Sequence, residues 1–258
     1  MSDPFNRYDP SPAPAAEAQP PDAQVHPAPY SHTVPRRRNL AVRILRGLAM
    51  LLVGYYIAAV LMLVVYRFVD PPITGVQLER RLGALIAGRD LRFRQSDVAY
   101  ERLPRHVPRA IMAAEDGNFM NHWGFDFAEM KKASAGIFDG QMPRGASTIT
   151  QQLVKNLFGC TCRNPVRKLY DWVLTPPAEL ILGKERILEL YLNNVEWGRG
   201  VFGIEAGARH HYGTSARGLS RSQAAGLAAL LPNPLQRTPG TTPQYRSEIL
   251  RRMSARGW

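Results

Sequence analysis

Adjacent carboxylates at Glu115 and Asp116, followed at short range by Phe119, His122 and Gly124, are the first group in this sequence that could do chemistry. Two acids this close oppose each other's ionisation, so one is pushed toward a pKa at which it can serve as general base or acid. An acidic pair at a helix end is also an ordinary solvated feature, and the pair alone decides nothing. A metal reading of Glu115, Asp116 and His122 lacks the HExxH spacing that sets two imidazoles on one helical face. A second group runs from Arg144 through Gly145, Ser147, Thr148, Gln151, Gln152 and Lys155. A glycine turn entering a helix N-terminus offers unpaired N–H groups, and the amides and ammonium that follow complete a cradle for a phosphate or a sugar. The third group is basic, Arg163, Arg167 and Lys168, with Asp171 and Glu179 after it.

The elements that must hold these groups are mostly helical in pattern. Pro108 suits a first helical position, and the turn through Ile111, Met112, Ala114 and Glu115 stops near Gly117. In STITQQLVKNLF, Ile149, Leu153 and Leu157 recur at helical spacing, while Thr148, Gln151, Gln152 and Lys155 share the other side; Thr148 and Gln151 are placed as a capping box. Further helices are expected over Lys184 to Asn194, and over Ser220 to Leu231 with a Ser220/Gln223 capping box. Gln77 to Gly88 reads as a short amphipathic helix with Leu78, Leu82, Leu85 and Ile86 on one face. Strand-like alternation is scarce and no internal repeat is found, so the fold class is mainly α.

The 258 residues carry a formal net charge of +12. Residues 1–35 are crowded with Pro, Ala and short polar residues and read as a disordered tail. Residues 36–46 are basic, and residues 47–66, Gly47 to Tyr66, form an uncharged run of about 20 residues, enough for a spanning helix. The arginines on its N-terminal side put the tail in the cytoplasm and residues 67–258 outside as one domain. No small-x-small site follows Tyr66, which argues against a cleaved signal peptide. An outer location, with no zinc-finger spacing or RNA-binding aromatic signature, argues against nucleic acid as the basic chain's partner. Cys160 and Cys162 could pair across one residue, but such a bridge is tight and two thiols do not make a zinc site; they read as a loop feature without a catalytic role.

Taken together, the three groups resemble the family 51 glycosyltransferases, the peptidoglycan polymerases, and most closely their monofunctional biosynthetic transglycosylases. Glu115, Asp116, Phe119, His122 and Gly124 meet the pattern Glu-Asp-x-x-Phe-x-x-His-x-Gly. Gly145, Ser147, Thr148, Gln151, Gln152 and Lys155 meet Gly-x-Ser-Thr-x-x-Gln-Gln-x-x-Lys. Arg167-Lys168 stands for the third motif, and Ile187 to Asn193 and Gly203 to Ala206 meet two later ones. The resemblance covers about residues 75 to 240 in the family's motif order.

The resemblance implies a lysozyme-like α domain beside a smaller membrane-facing lobe, preceded by one transmembrane helix. It also implies polymerisation of lipid II onto a glycan carried on undecaprenyl diphosphate, at a bacterial inner membrane. Glu115 would be the general base that takes the proton of the acceptor 4-hydroxyl as it attacks the anomeric carbon; the α-linked diphosphate leaves and a β-1,4 bond forms with inversion. Lys155, Arg163, Arg167 and Lys168 are the candidates to hold the diphosphate. Asp116 and His122 would orient the Glu115 loop or touch substrate, with Phe119 and Gly145 beside them. Ser147, Thr148, Gln151 and Gln152 would contact substrate or cap their helix. Ile137, Phe138 and Met142 could dip into lipid or simply pack. No cofactor is required, although a divalent cation, Mg or Mn, is an addition that a diphosphate could use. The chain has no Ser-x-x-Lys or Lys-Thr-Gly signature, so cross-linking would fall to transpeptidases and other cell-wall proteins as partners.

The chain departs from the pattern at Asp171, where the family usually has Glu, and Pro176-Pro177 should break the helix that follows. Glu179 lies about 12 Å further along such a helix, so Asp171 is the expected second acid. Lys132 replaces a usual Arg and loses its fork. Two rival readings remain from sequence alone: a lytic enzyme of lysozyme type, which would have no diphosphate to hold, and a membrane scaffold whose altered third motif has cost it activity.

Overall fold

The computed structural model describes residues 40–89, 92–138, 147–162 and 164–258, the side chains at 134 and 136–138 excepted. The tail 1–35, the basic residues 36–39, Gly145, Arg163, and the side chains of Ile137, Phe138 and Met142 therefore lie outside the described residues.

The apolar run folds as α1, Leu40–Tyr66, a helix long and apolar enough to cross a membrane. It starts seven residues before Gly47, because Arg43 and Arg46 are good helix formers with nothing to stop them. Most of its large side chains are exposed, but Ala59 and Leu63 are buried in the core. Its second half is fastened to the rest of the protein. Tyr55 stacks on Tyr170 and donates to the Phe158 carbonyl, Tyr66 stacks on Phe158, and Arg186 Nε donates to the Tyr66 carbonyl at 2.8 Å while pairing with Asp70.

Helix α2, Gly75–Ile86, opens on a Thr74/Gln77 capping box and packs against α5, Ile149–Phe158. Its Leu78, Leu82, Leu85 and Ile86 all face outward and are exposed. The core is built by α3 (His106–Glu115), α5, α6 (Pro165–Leu182), α7 (Lys184–Asn194), α8 (Ile204–Tyr212), α9 (Arg221–Ala228) and α10 (Pro243–Ala255), and α4 spans Phe127–Phe138. Helix α3 packs on α9 and α10, and α5 on α6 and α7. The expectation of a mainly α fold holds. Pro108 sits in the third position of α3, where no N–H partner is lost, so the helix begins two residues before it. Three strands of two or three residues, β1 (Arg94–Gln95), β2 (Glu196–Gly198) and β3 (Val201–Phe202), form a small sheet in the order β1-β3-β2, parallel then antiparallel.

One expectation is corrected. Helix α6 continues through Pro176 and Pro177 without a break. Pro176 is exposed and Pro177 half-buried, while Leu174, Ala178 and Leu182 are locked in the core. Burial of that inner stripe outweighs about 3 kcal/mol for a helix-interior proline.

Candidate active site

Glu115 is the last residue of α3, and Asp116 follows as its C-cap. The chain must turn there, and the carboxylates diverge into different roles. Asp116 is buried and accepts hydrogen bonds from the backbone N–H of Ile149 at 3.0 Å and from His122 Nε2 at 2.9 Å. The first of these donors belongs to the unpaired N-terminal turn of α5, where a negative charge is favoured. His122 is in turn held by its backbone carbonyl, which accepts from Lys184 Nζ at 2.6 Å. Phe119 is fully buried with its ring edge toward His122, and Lys184 Nζ lies 4.2 Å from the ring centre. These residues form a brace behind the loop.

Glu115 points elsewhere. Its Oε2 accepts from Gln152 Nε2 at 2.9 Å, and Gln152 Oε1 accepts from the Tyr191 hydroxyl at 2.9 Å. Burial raises the pKa of Glu115; the Gln152 hydrogen bond and the charges of Lys155 and Arg237 oppose that rise, and Asp116 adds to it. A carboxyl treated this way is a better base than an exposed glutamate.

Thr148 caps α5: its hydroxyl oxygen accepts from Gln151 N–H at 3.3 Å and donates to the Gly124 carbonyl at 2.7 Å. Only this half of the expected capping box forms. The Gln151 side chain turns instead to Lys168, whose Nζ lies 3.4 Å from its Oε1 and 2.7 Å from Ser147 Oγ. Arg167 Nε donates to the Cys162 carbonyl at 2.9 Å and its guanidinium pairs with Asp171. Cys160 and Cys162 are joined as a disulfide in that loop, and Thr161 between them is bonded to Glu79 of α2. Asp171 is buried on α6; burial raises its pKa and Arg167, Lys168 and Lys155 pull it down. Lys155 senses both ends of the site. Its pKa is lowered by burial first and by Arg167 next, while Asp171 and Glu115 raise it. Among the described residues no hydrogen bond or ion pair holds its ammonium.

Thus Glu115, Asp116, His122, Ser147, Thr148, Gln151, Gln152, Lys155, Arg167, Lys168 and Asp171 gather about α5, which the end of α3 meets through Asp116 and Glu115 and which packs on α6. Glu179 does not join the open end. It is buried, accepting from Thr150 Oγ1 at 2.5 Å and Lys184 Nζ at 2.9 Å. Lys132 stands apart, paired at the surface with Glu129. Three residues near Glu115 were not singled out from sequence: Tyr191, Arg237 and Tyr245. Tyr191 lies in the stretch Ile187 to Asn193 that meets a later family motif, which was its signal; Arg237 and Tyr245 had none.

Among the described residues, Asp116, His122 and Asp126 have ligand atoms within 4.8 Å of one another. Hydrogen bonds already engage most of this cluster: both Asp116 oxygens face His122 Nε2 and one also takes the Ile149 N–H, and Asp126 Oδ1 takes the Glu129 N–H, while His122 Nδ1 is buried without a partner among the described residues. It supplies no step below.

Gly124 closes the brace. Its φ is +78°, and a Cβ there would stand 2.3 Å from Thr175 Cγ2 and 3.2 Å from Glu179 Cγ. Gly124→Ala should cost about 3 kcal/mol from strain and overpacking. Thermal unfolding should register a fall of about 6–12 °C; an unchanged Tm would mean that the loop has slack here.

A family profile described as Transglycosylase matches residues 83–255. The chain is 45% identical over 180 residues, 70% of its length and 75% of the relative's, to a biosynthetic peptidoglycan transglycosylase of Pseudomonas fluorescens (strain SBW25). It is 43% identical over 220 residues to a protein of the same description from Chromohalobacter salexigens, covering 83% of this chain and 93% of that one. A third, from Ectopseudomonas mendocina, is 42% identical over 208 residues, 81% and 84% of the two chains. The profile takes in every helix from α3 to α10, and with it each described side chain of the site, so the chain belongs to the transglycosylase family.

Proposed function

We propose that this chain is a peptidoglycan glycosyltransferase that joins lipid II units into β-1,4-linked glycan, with inversion and release of undecaprenyl diphosphate, for cell-wall synthesis. The observation that carries this reading is geometric: Gln152 of α5 holds Glu115, Gln151 and Ser147 beside it hold Lys168 next to the Arg167–Asp171 pair, and Lys155 of the same helix is held by no hydrogen bond or ion pair among the described residues. A base and a cation cluster in one site fit a reaction in which a hydroxyl loses a proton and an anionic diphosphate departs. A hydrolase acting on neutral glycan has no use for that cluster.

Glu115 is the general base in this scheme. Lys155, Arg167 and Lys168, with Arg163, neutralise the charge that develops on the leaving diphosphate. Asp171 is the second acid, and its pairing with Arg167 sets that guanidinium in place. Ser147, Gln151 and Lys168 form one hydrogen-bonded group that meets substrate as a unit. Asp116, His122 and Phe119 act through the loop they hold. The chain is membrane-anchored by α1, with its N-terminus in the cytoplasm and the catalytic domain in the periplasm, at the level of a lipid-linked substrate. Cross-linking is left to separate transpeptidases.

The test offers purified protein labelled lipid II and, separately, intact sacculi. Polymer from the first and no soluble fragments from the second are expected. Fragments without polymer would overturn the reading in favour of lytic chemistry.

A further inference from the structure

We infer that Tyr191 is a positioning residue for the reaction: its buried hydroxyl fixes which way the Gln152 amide faces, and thereby keeps an N–H aimed at Glu115. The inference rests on Glu115 being the base.

Gln152 stands between Tyr191 of α7 and Glu115 of α3: its Oε1 accepts from the phenol at 2.9 Å, and its Nε2 donates to Glu115 at 2.9 Å with a longer contact to the Ser147 carbonyl at 3.4 Å. An amide can turn over at little steric cost, because its oxygen and nitrogen are nearly the same size. Turned over, Gln152 would present its carbonyl to Glu115, an arrangement that suits only a protonated carboxyl. The phenol at 2.9 Å opposes the turn, and the 3.4 Å contact to the Ser147 carbonyl adds weakly to it. Tyr191 is fully buried, and burial holds its pKa well above the ordinary value, so it stays a donor. Among the described residues Gln152 Oε1 is the acceptor it has. If the amide turned, the phenol would face an N–H, and its own proton would be left buried without a partner, an unfavourable state. The hydroxyl therefore biases the whole chain of hydrogen bonds toward the carboxylate form of Glu115.

Other groups facing Glu115 are unaffected by this contact. They are Lys155 of α5, Arg237 beyond α9, the adjoining Asp116, and Tyr245 of α10, whose hydroxyl donates to the Ala114 carbonyl at 3.1 Å. Arg252 of α10 donates to the Ala113 carbonyl and pairs with Glu248. Removing the Tyr191 hydroxyl thus changes one influence on Glu115 and leaves the charges in place.

The experiment measures pH–rate profiles on lipid II for the full-length wild type, Tyr191→Phe, Gln152→Ala and the double variant, with Glu115→Gln as control. Loss of an N–H donor to a carboxylate raises its pKa, and a base works only when deprotonated. The acid limb of Tyr191→Phe should therefore move up by about one pH unit, with kcat falling about tenfold below the limb. KM should stay within about twofold, and the alkaline plateau should be nearly kept. Gln152→Ala should show the same displacement, and adding Tyr191→Phe to it should cost nothing further. Equal loss at every pH, or losses that add in the double variant, would overturn the inference by making Tyr191 a packing residue only. A second variant keeps the side-chain shape: 3-fluorotyrosine at position 191, a stronger donor, should move the limb down, and an upward shift or none would count against the role. Polymerisation by Glu115→Gln would instead remove the base assignment itself, so the two failures are distinct.

Discussion

Glu115→Gln should leave a folded protein in which polymerisation of lipid II has fallen by about a hundred- to ten-thousandfold, the range that a positioned general base supplies. The amide has the shape of the carboxyl but cannot take the acceptor proton. Nothing that holds α3 in place is lost, because the brace to α5 runs through Asp116 and the tie from α10 ends on the Ala114 carbonyl. Melting temperature and binding of lipid II should therefore stay near the wild-type values. A variant that keeps more than about a tenth of the wild-type rate would remove Glu115 from the chemistry, since general-base contributions that small are unusual.

Lys155→Gln should have the second-largest effect, a loss of about a hundred- to a thousandfold in kcat. The reason for singling it out from the cation cluster is commitment. Lys168 is shared between Ser147 and Gln151, and Arg167 between Asp171 and the Cys162 carbonyl, whereas Lys155 is coupled to both ends of the site and held by neither. Its charge is therefore available to the leaving diphosphate. The same charge holds down the pKa of Glu115, so its removal should also carry the acid limb of the pH–rate profile upward. A loss under about tenfold, with the limb unmoved, would assign diphosphate stabilisation to Arg167 and Lys168 instead.

Much of this site could be read before any coordinates. Helix α7 has the bounds expected of it, Lys184–Asn194, and α9 opens on the expected Ser220/Gln223 capping box, because both signals are local. The grouping of Glu115 with the polar side of α5 is what the family resemblance implies; motif order by itself does not say what meets in space. What could not be read depends on which surface covers which. The polar side of α5 reads as a cradle for substrate, yet Thr148 and Gln151 are buried, since α6 and the loop at Gly124 close over them. Whether Pro176 and Pro177 break α6 turns on how firmly Leu174, Ala178 and Leu182 are held in the core, which spacing alone does not weigh. The three short strands are too brief to show alternation. Tyr191 appeared only as part of a motif, and its link to Glu115 needs α7 brought beside α5.

The fastening of α1 along Tyr55 to Tyr66 bears on how the enzyme meets its substrate. A domain on a slack linker explores many heights and tilts above a membrane, and each productive encounter must first lose that freedom. Here the anchor runs into the folded domain with its aromatic side chains already seated on Phe158 and Tyr170. With residues 55–66 fixed to the domain in this way, part of the orientational entropy of each encounter is surrendered at folding rather than at each unit added. The anchor sets an effective molarity for reaction as well as a place for it.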